Sequence, residues 1–298
     1  MSVSTIIGTS PNKTRKPQER TLLLMDAITA IVREYDRMTI RQLYYQLVSR
    51  GSIAKTEAEY KRVCNIAGQM RVAGTLPYGK IADGNRQRRS VAQWGGPADL
   101  LESATAQYRK NRWEHQRWHV EVWCEKDALS GVLLPVCDAW GVTYVATRGN
   151  PSMTLIYESA IFLNALPQAT MIVYVGDHDA SGRGISDRLE AQFAQHACDL
   201  IVARVALNPD QISDYRLPTR PGKTTDSQHA RFAAEYGEAS VEVDALPPDV
   251  LTEIVRDQIV AQIDEPAWLT AGEAERLERQ SLADFTANLS ALGIDPRN

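Results

Sequence analysis

The stretch Val173-Tyr174-Val175-Gly176-Asp177-His178-Asp179-Ala180-Ser181-Gly182 reads as an apolar strand that stops on two carboxylates and turns into a helix. Working outward from it, the periodicity alternates. Val120 to Cys124, Thr143 to Ala146, Met171 to Val175 and Leu200 to Val205 read as strands. Ala128 to Ala139, Met153 to Ala165 and Gly184 to His196 read as the helices between them. Strands separated by helices of this length predict a parallel, Rossmann-like α/β sheet with both faces covered. A second acidic strand end, Val120-Glu121-Val122-Trp123-Cys124-Glu125-Lys126, lies two strands earlier.

In an open parallel sheet the working residues gather past the carboxyl ends of the strands. Carboxylates there lose solvation unless a partner or a cation neutralises them, and the Asp-x-Asp spacing points two alternate side chains at one ion. The two acidic strand ends together are therefore the candidate metal site. All-oxygen donors favour Mg²⁺ or Mn²⁺ over zinc. Gly182 and Gly184 are expected to permit the tight turn into the next helix.

Upstream, residues 1–18 read as a flexible basic arm without periodicity. Arg20 to Tyr35 has a 3.6-residue apolar period, Thr39 caps a second helix from Ile40 to Ser49, and Gly51 is placed to end it. Thr56 opens a third helix to about Ala73, and an extended segment follows around Ile81. Three helices and a wing predict a winged-helix domain over 19–97. Its third helix presents Lys61, Arg62, Asn65, Gln69 and Arg71 as candidate DNA contacts, the cations for phosphates and the amides for base edges. An Arg-rich stretch, Asn85 to Ser90, leads to a helical linker over 98–118, with Trp113, Trp118 and Trp123 covering the joint to the α/β domain of 119–298.

Charge follows the same division. Residues 1–118 hold 20 Lys and Arg against 10 Asp and Glu, whereas 119–298 hold 13 against 27. A basic half can hold a phosphate backbone, and an acidic half acting on nucleic acid needs cations to approach it. Cys64, Cys124, Cys137 and Cys198 form no CxxC pair, so a zinc site and a disulfide framework are both unexpected, and the cysteines read as reduced core residues. His115 and His119 lack the companions of a metal site. No apolar run is long enough for a bilayer and no signal peptide is evident, so the expected setting is cytoplasmic and nucleoid-associated, with no membrane partner.

The pattern of a Glu after one strand and Asp-x-Asp after a later one resembles the Toprim domain of topoisomerases, primases and some nucleases, and the resemblance implies Glu125, Asp177 and Asp179 as the metal ligands. Thr147-Arg148-Gly149-Asn150-Pro151-Ser152 and Val241-Glu242-Val243-Asp244-Ala245-Leu246-Pro247-Pro248 are similar to segments of the topoisomerase VI A subunit and the related meiotic double-strand-break enzyme. Asp244 itself reads as a structural acid. Thr39-Ile40-Arg41-Gln42-Leu43-Tyr44-Tyr45-Gln46-Leu47 resembles the family's winged-helix segment, which carries an Arg before a tyrosine pair. The resemblance implies that Tyr45 attacks phosphorus and Arg41 stabilises phosphate charge. It further implies a homodimer, in which one subunit's tyrosine works with the other's metal, and an ATPase partner subunit. Two alternatives stand beside this reading: a Toprim nuclease using water as nucleophile, and a winged-helix DNA-binding protein without catalysis.

Overall fold

The computed structural model describes residues 19–82, 91–221 and 229–291. The expected basic arm and the Asn85 to Ser90 stretch lie outside them. The first helix, α1 (Glu19–Glu34), buries Leu24, Ile28, Ile31 and Val32, the stripe its period predicts. After β1 (Met38–Thr39), α2 (Ile40–Ser49) starts on a reciprocal cap. The Thr39 hydroxyl accepts the Gln42 N–H at 3.0 Å while the Gln42 side-chain oxygen accepts the Thr39 N–H at 2.8 Å. Gly51 follows with φ 69°, the left-handed conformation that ends a helix. Thr39→Ala is expected to cost about 1 kcal/mol in urea unfolding; no loss would show the cap to be redundant.

Thr56 caps α3 (Glu57–Val72), and β2 (Ile81–Ala82) then pairs with β1 in parallel. Around Ile81, the place of the expected wing, the described residues form not a hairpin but this short parallel pair with β1. It brings the three-helix unit onto the rest of the chain, since β1 also packs on α5 (Ser130–Trp140) and α2 packs on the turn at Val243–Ala245. At Gly131 an added Cβ would lie 2.6 Å from the Cβ of Ala82, so the backbones meet there because neither side carries bulk.

Beyond α4 (Pro97–Gln107), β3 (Trp118–Cys124), β4 (Thr143–Ala146), β5 (Ala169–Val175) and β6 (Leu200–Ala206) form one parallel sheet in the order β4-β3-β5-β6. Helices α5, α6 (Met153–Asn164) and α7 (Ala180–Ala194) connect them. The alternation of strand side chains explains how both faces are buried. Val120, Val122, Cys124, Val173 and Val175 join one core cluster, with Leu133 of α5 and Val255 of α10 (Pro248–Val260). Trp123, Ile172 and Tyr174 join the other, with Ile156 of α6 and Leu189 and Phe193 of α7. This is an α/β fold with a four-stranded parallel sheet, as expected.

The remaining elements are α8 (Pro209–Asp214), an antiparallel pair of β7 (Arg220–Pro221) and β8 (Ala239–Ser240) flanking α9 (His229–Tyr236), and α11 (Glu265–Ala291). The two C-terminal helices part company: α10 packs on α5 and the sheet, while α11 packs on α4. No helix among the described residues is long and apolar enough to cross a membrane.

The tryptophans correct one expectation. Trp123 is fully buried in the sheet core against Phe193, and its indole N–H is held by Glu121 at 2.8 Å. Trp113 donates to the carbonyl of Trp140 at 2.7 Å and packs edge-on against Trp268 of α11. Trp113 and Trp123 thus serve the α/β part's own packing, and the joint is made by the small-residue contact at Gly131. The cysteines are free, three of them buried and Cys64 half-buried.

Candidate functional site

The sheet order places β3 and β5 side by side at its centre, with Cys124 in register with Val175. The chain leaves β3 toward one edge and β5 toward the other, so their carboxyl ends flank the topological switch point. The two acidic strand ends therefore meet. One oxygen of Glu125 accepts the N–H of Asp177 at 3.1 Å. The Asp177 Oδ1 accepts the N–H of Val243 at 2.9 Å, and Val241 bridges His178 as an antiparallel pair. The segment 241–244 thereby lies across the acidic loop and delivers Glu242 and Asp244 to it.

Asp179 faces the start of α7. Its Oδ1 caps the helix by accepting the Gly182 N–H at 2.9 Å, and its Oδ2 lies 3.5 Å from Arg220. Gly182 is glycine for a different reason from the expected turn: a Cβ there would lie 2.4 Å from the Asp177 carbonyl oxygen and 2.9 Å from the Glu125 carboxylate. Close approach excludes a side chain there, not backbone angle. Behind the loop, the buried guanidinium of Arg204 donates to the carbonyls of Gly176 at 3.0 Å, Asp177 at 2.5 Å and Gly182 at 3.0 Å. Burial lowers its pKa to about 10, yet it stays a cation at neutral pH.

Lys126 is the centre of the constellation. Its ammonium stands 3.0 Å from Asp177, 3.2 Å from Glu242 and 3.0 Å from Asp244. Burial opposes its charge, but Asp244, Asp177 and Glu242 more than reverse that and hold it above the usual lysine range. One ammonium does not satisfy three carboxylates. Burial pushes Asp177 up to about 7 despite Lys126, and Glu125 pushes it in the same direction. Burial also raises Glu125. Asp244 is fully buried, and neither of its oxygens accepts a hydrogen bond among the described residues. The Lys126 contact to it has ion-pair distance without hydrogen-bond geometry.

Glu242 has the opposite balance. Burial would raise it, but Lys126, Arg41 at 2.7 Å and Arg220 at 2.8 Å bring it down to about 2. A depressed carboxylate contributes stability that is complete above its ordinary value of 4.5 and is lost as pH falls toward 2. Urea unfolding should therefore show the parent losing stability across that interval more steeply than Glu242→Gln. Parallel pH profiles would refute this.

Arg41 and Tyr45, both on α2, face this same cluster within one chain. Tyr45 is buried, with the Lys55 ammonium 5.4 Å from its ring centre. Burial, then the charge of Glu242, raises its phenol above the usual tyrosine range. The candidate DNA contacts on α3 separate. Lys61, Asn65 and Gln69 are exposed on its open face, with Lys61 paired to Glu57. Arg62 is tied to Glu59 and to the carbonyl of Arg20. Arg71 turns inward over the Tyr78 ring, 4.4 Å from its centre.

Lys126, Glu242, Arg204 and Arg220 were not singled out as site residues from the sequence. Glu242-Val243-Asp244 repeats the acid-x-acid spacing of Asp177-His178-Asp179, and Lys126 adjoins Glu125; these were the available signals. His178 carried none: burial lowers it to about 4, leaving it neutral among Phe232 and Tyr236. Among the described residues no three His, Cys, Asp or Glu side chains are gathered to hold a metal ion, and the point where Asp177, Glu242 and Asp244 converge is taken by Lys126. Neither protein-family models nor curated protein sequences match the chain.

Proposed function

We propose that this chain is a DNA-binding enzyme that cleaves the DNA backbone with Mg²⁺ or Mn²⁺, a topoisomerase VI A-like protein with a winged-helix and a Toprim-type domain. The observation that carries the reading is the excess of carboxylate at the switch point: five acids, Asp177, Glu242 and Asp244 buried and Glu125 and Asp179 half-buried, with one lysine and two arginines among them, and Asp244 without a hydrogen-bond donor among the described residues. Donors of this kind fit a hard cation. Glu125, Asp177 and Asp179 would hold it. A bound divalent cation there would offset charge on phosphate oxygens and make a nucleophile available near neutral pH.

The chain's own groups support the rest of the chemistry. Arg204 fixes the carbonyls of the acidic loop, so its carboxylates are oriented before substrate arrives. Arg41, half exposed beside Glu242, is placed to take up phosphate charge. Two nucleophiles remain, each favoured by an observation. Tyr45 is near enough to Glu242, Lys126, Arg220 and Arg41 to feel their charges, which favours a tyrosine–DNA intermediate. Its burial and raised pKa favour water, and hence a nuclease. A homodimer, an ATPase partner subunit and a nucleoid-associated cytoplasmic setting belong to the topoisomerase form of the proposal.

Supercoiled DNA incubated with protein and Mg²⁺, stopped with detergent and divided with and without protease, tests this. Protein-linked breaks that vanish in Tyr45→Phe establish the tyrosine route, and free-ended breaks that persist in it establish water. Absence of breaks with both Mg²⁺ and Mn²⁺ refutes cleavage and leaves a DNA-binding protein.

A further inference from the structure

Between α3 and the loop that follows β3 lies a cleft of about 660 Å³. Arg41, Arg71, Lys126 and Arg148 contribute four cations to its wall, against the two carboxylates of Asp127 and Asp244. Three of these cations are already paired, Arg41 with Glu242, Lys126 with Asp177, Glu242 and Asp244, and Arg148 with Asp127, but the Arg41 and Arg148 side chains remain 42% and 73% exposed, so their guanidinium groups are reachable from the cleft. Arg71 has a buried Nε without an acceptor among the described residues, and the half-buried Tyr60 ring lines the cleft with the Arg41 guanidinium 5.6 Å from its centre.

Gly68 adds a second line of argument. It sits in the middle of α3, where glycine weakens a helix by about 1 kcal/mol relative to alanine. Gly68 is exposed, nothing among the described residues lies within 4 Å of the position its Cβ would take, and its φ is not left-handed, so neither the described packing nor the backbone demands glycine. What glycine does there is leave the cleft wall open.

The cleft's dimensions select the ligand. A duplex is read from outside, by an element that enters a major groove about 12 Å wide. Here the inner face of α3 looks onto Lys126, Asp127 and Arg148 of its own chain, a space suited to small ligands or a few nucleotides. Cations alternating with an aromatic ring are the means by which proteins hold single strands, phosphates on the cations and a base on the ring. We infer that this cleft binds one single strand of DNA and leads its backbone to the carboxylate cluster, so the substrate is locally unpaired DNA. This builds on the proposed function by naming the form of its substrate.

The test reads binding alone, by fluorescence anisotropy of a labelled oligothymidylate and of a blunt duplex, in EDTA so that cleavage does not intervene. The single strand is expected to bind about tenfold more tightly than the duplex. Gly68→Leu, which fills the cleft without altering charge, and Arg71→Glu are each expected to weaken single-strand binding about tenfold. Arg276→Glu, exposed on α11, is expected to leave it unchanged. Circular dichroism of Gly68→Leu controls for folding. Duplex binding as tight as single-strand binding, or loss of affinity in Arg276→Glu but not in Gly68→Leu and Arg71→Glu, overturns the inference. A chain that prefers single strands in EDTA yet makes no breaks in Mg²⁺ refutes only the cleavage proposal.

Discussion

Asp177→Asn is expected to lower Mg²⁺-dependent DNA cleavage by about a thousandfold, the scale of losing one electrostatic group from a preorganised site. The substitution is nearly isosteric. An Asn oxygen at this position can still accept the Val243 N–H that Oδ1 now accepts, so the segment 241–244 keeps its place over the loop. What changes is charge. Asp177 is one of the three acids proposed to hold the cation, and its counterpart Lys126 retains Glu242 and Asp244 as partners. Binding of oligothymidylate in EDTA should persist, which separates lost chemistry from lost fold. Cleavage within about tenfold of the parent would exclude Asp177 from the chemistry.

Lys126→Met is expected to destabilise the fold by about 3–5 kcal/mol, the range for removing one partner from a buried charge group. Met preserves most of the aliphatic stem and deletes the ammonium, leaving Asp177, Glu242 and the fully buried Asp244 facing one another. Two further outcomes belong to the same argument. Asp244→Asn in the Lys126→Met background should recover part of the loss, because it removes one of the uncompensated charges. Mg²⁺ should raise the melting temperature of Lys126→Met more than that of the parent, since a divalent cation then has no ammonium to displace. Unaltered melting in Lys126→Met would mean that these carboxylates are neutralised by protons rather than by lysine.

The parts of this structure that were legible in the sequence are those governed by local chemistry. Thr39 and Gln42 are three residues apart, and their mutual cap needs nothing else in the chain to form. The apolar runs ending at Cys124 and Val175 announce buried parallel strands, and an acid at the end of each announces a site. What the sequence could not show was how distant segments converge. Lys126 reaches Glu242 across 116 positions and Arg41 reaches it across 201, and no periodicity reports a contact of that span. Asp244 reads as a structural acid, and its burial against Lys126 is compatible with that, but only the fold shows the partner. The tryptophans misled for a related reason. Their spacing places them near a domain boundary in sequence, but strand alternation sends Trp123 into the sheet core, and α11 returns to cover Trp113.

Glu242 joins α2, the end of β3 and β7 through Arg41, Lys126 and Arg220, so one carboxylate adds an ionic fastening to the packed joint between the three-helix unit and the sheet. That fastening is an anion held by cations, and a DNA phosphate is an anion of the same kind. On the proposed function, a phosphate entering beside Arg41 would compete with Glu242 for the guanidinium, and each exchange would loosen the joint that borders the cleft. Substrate loading and separation of the two units would then be linked equilibria, with the ligand lowering the work of the motion that admits it.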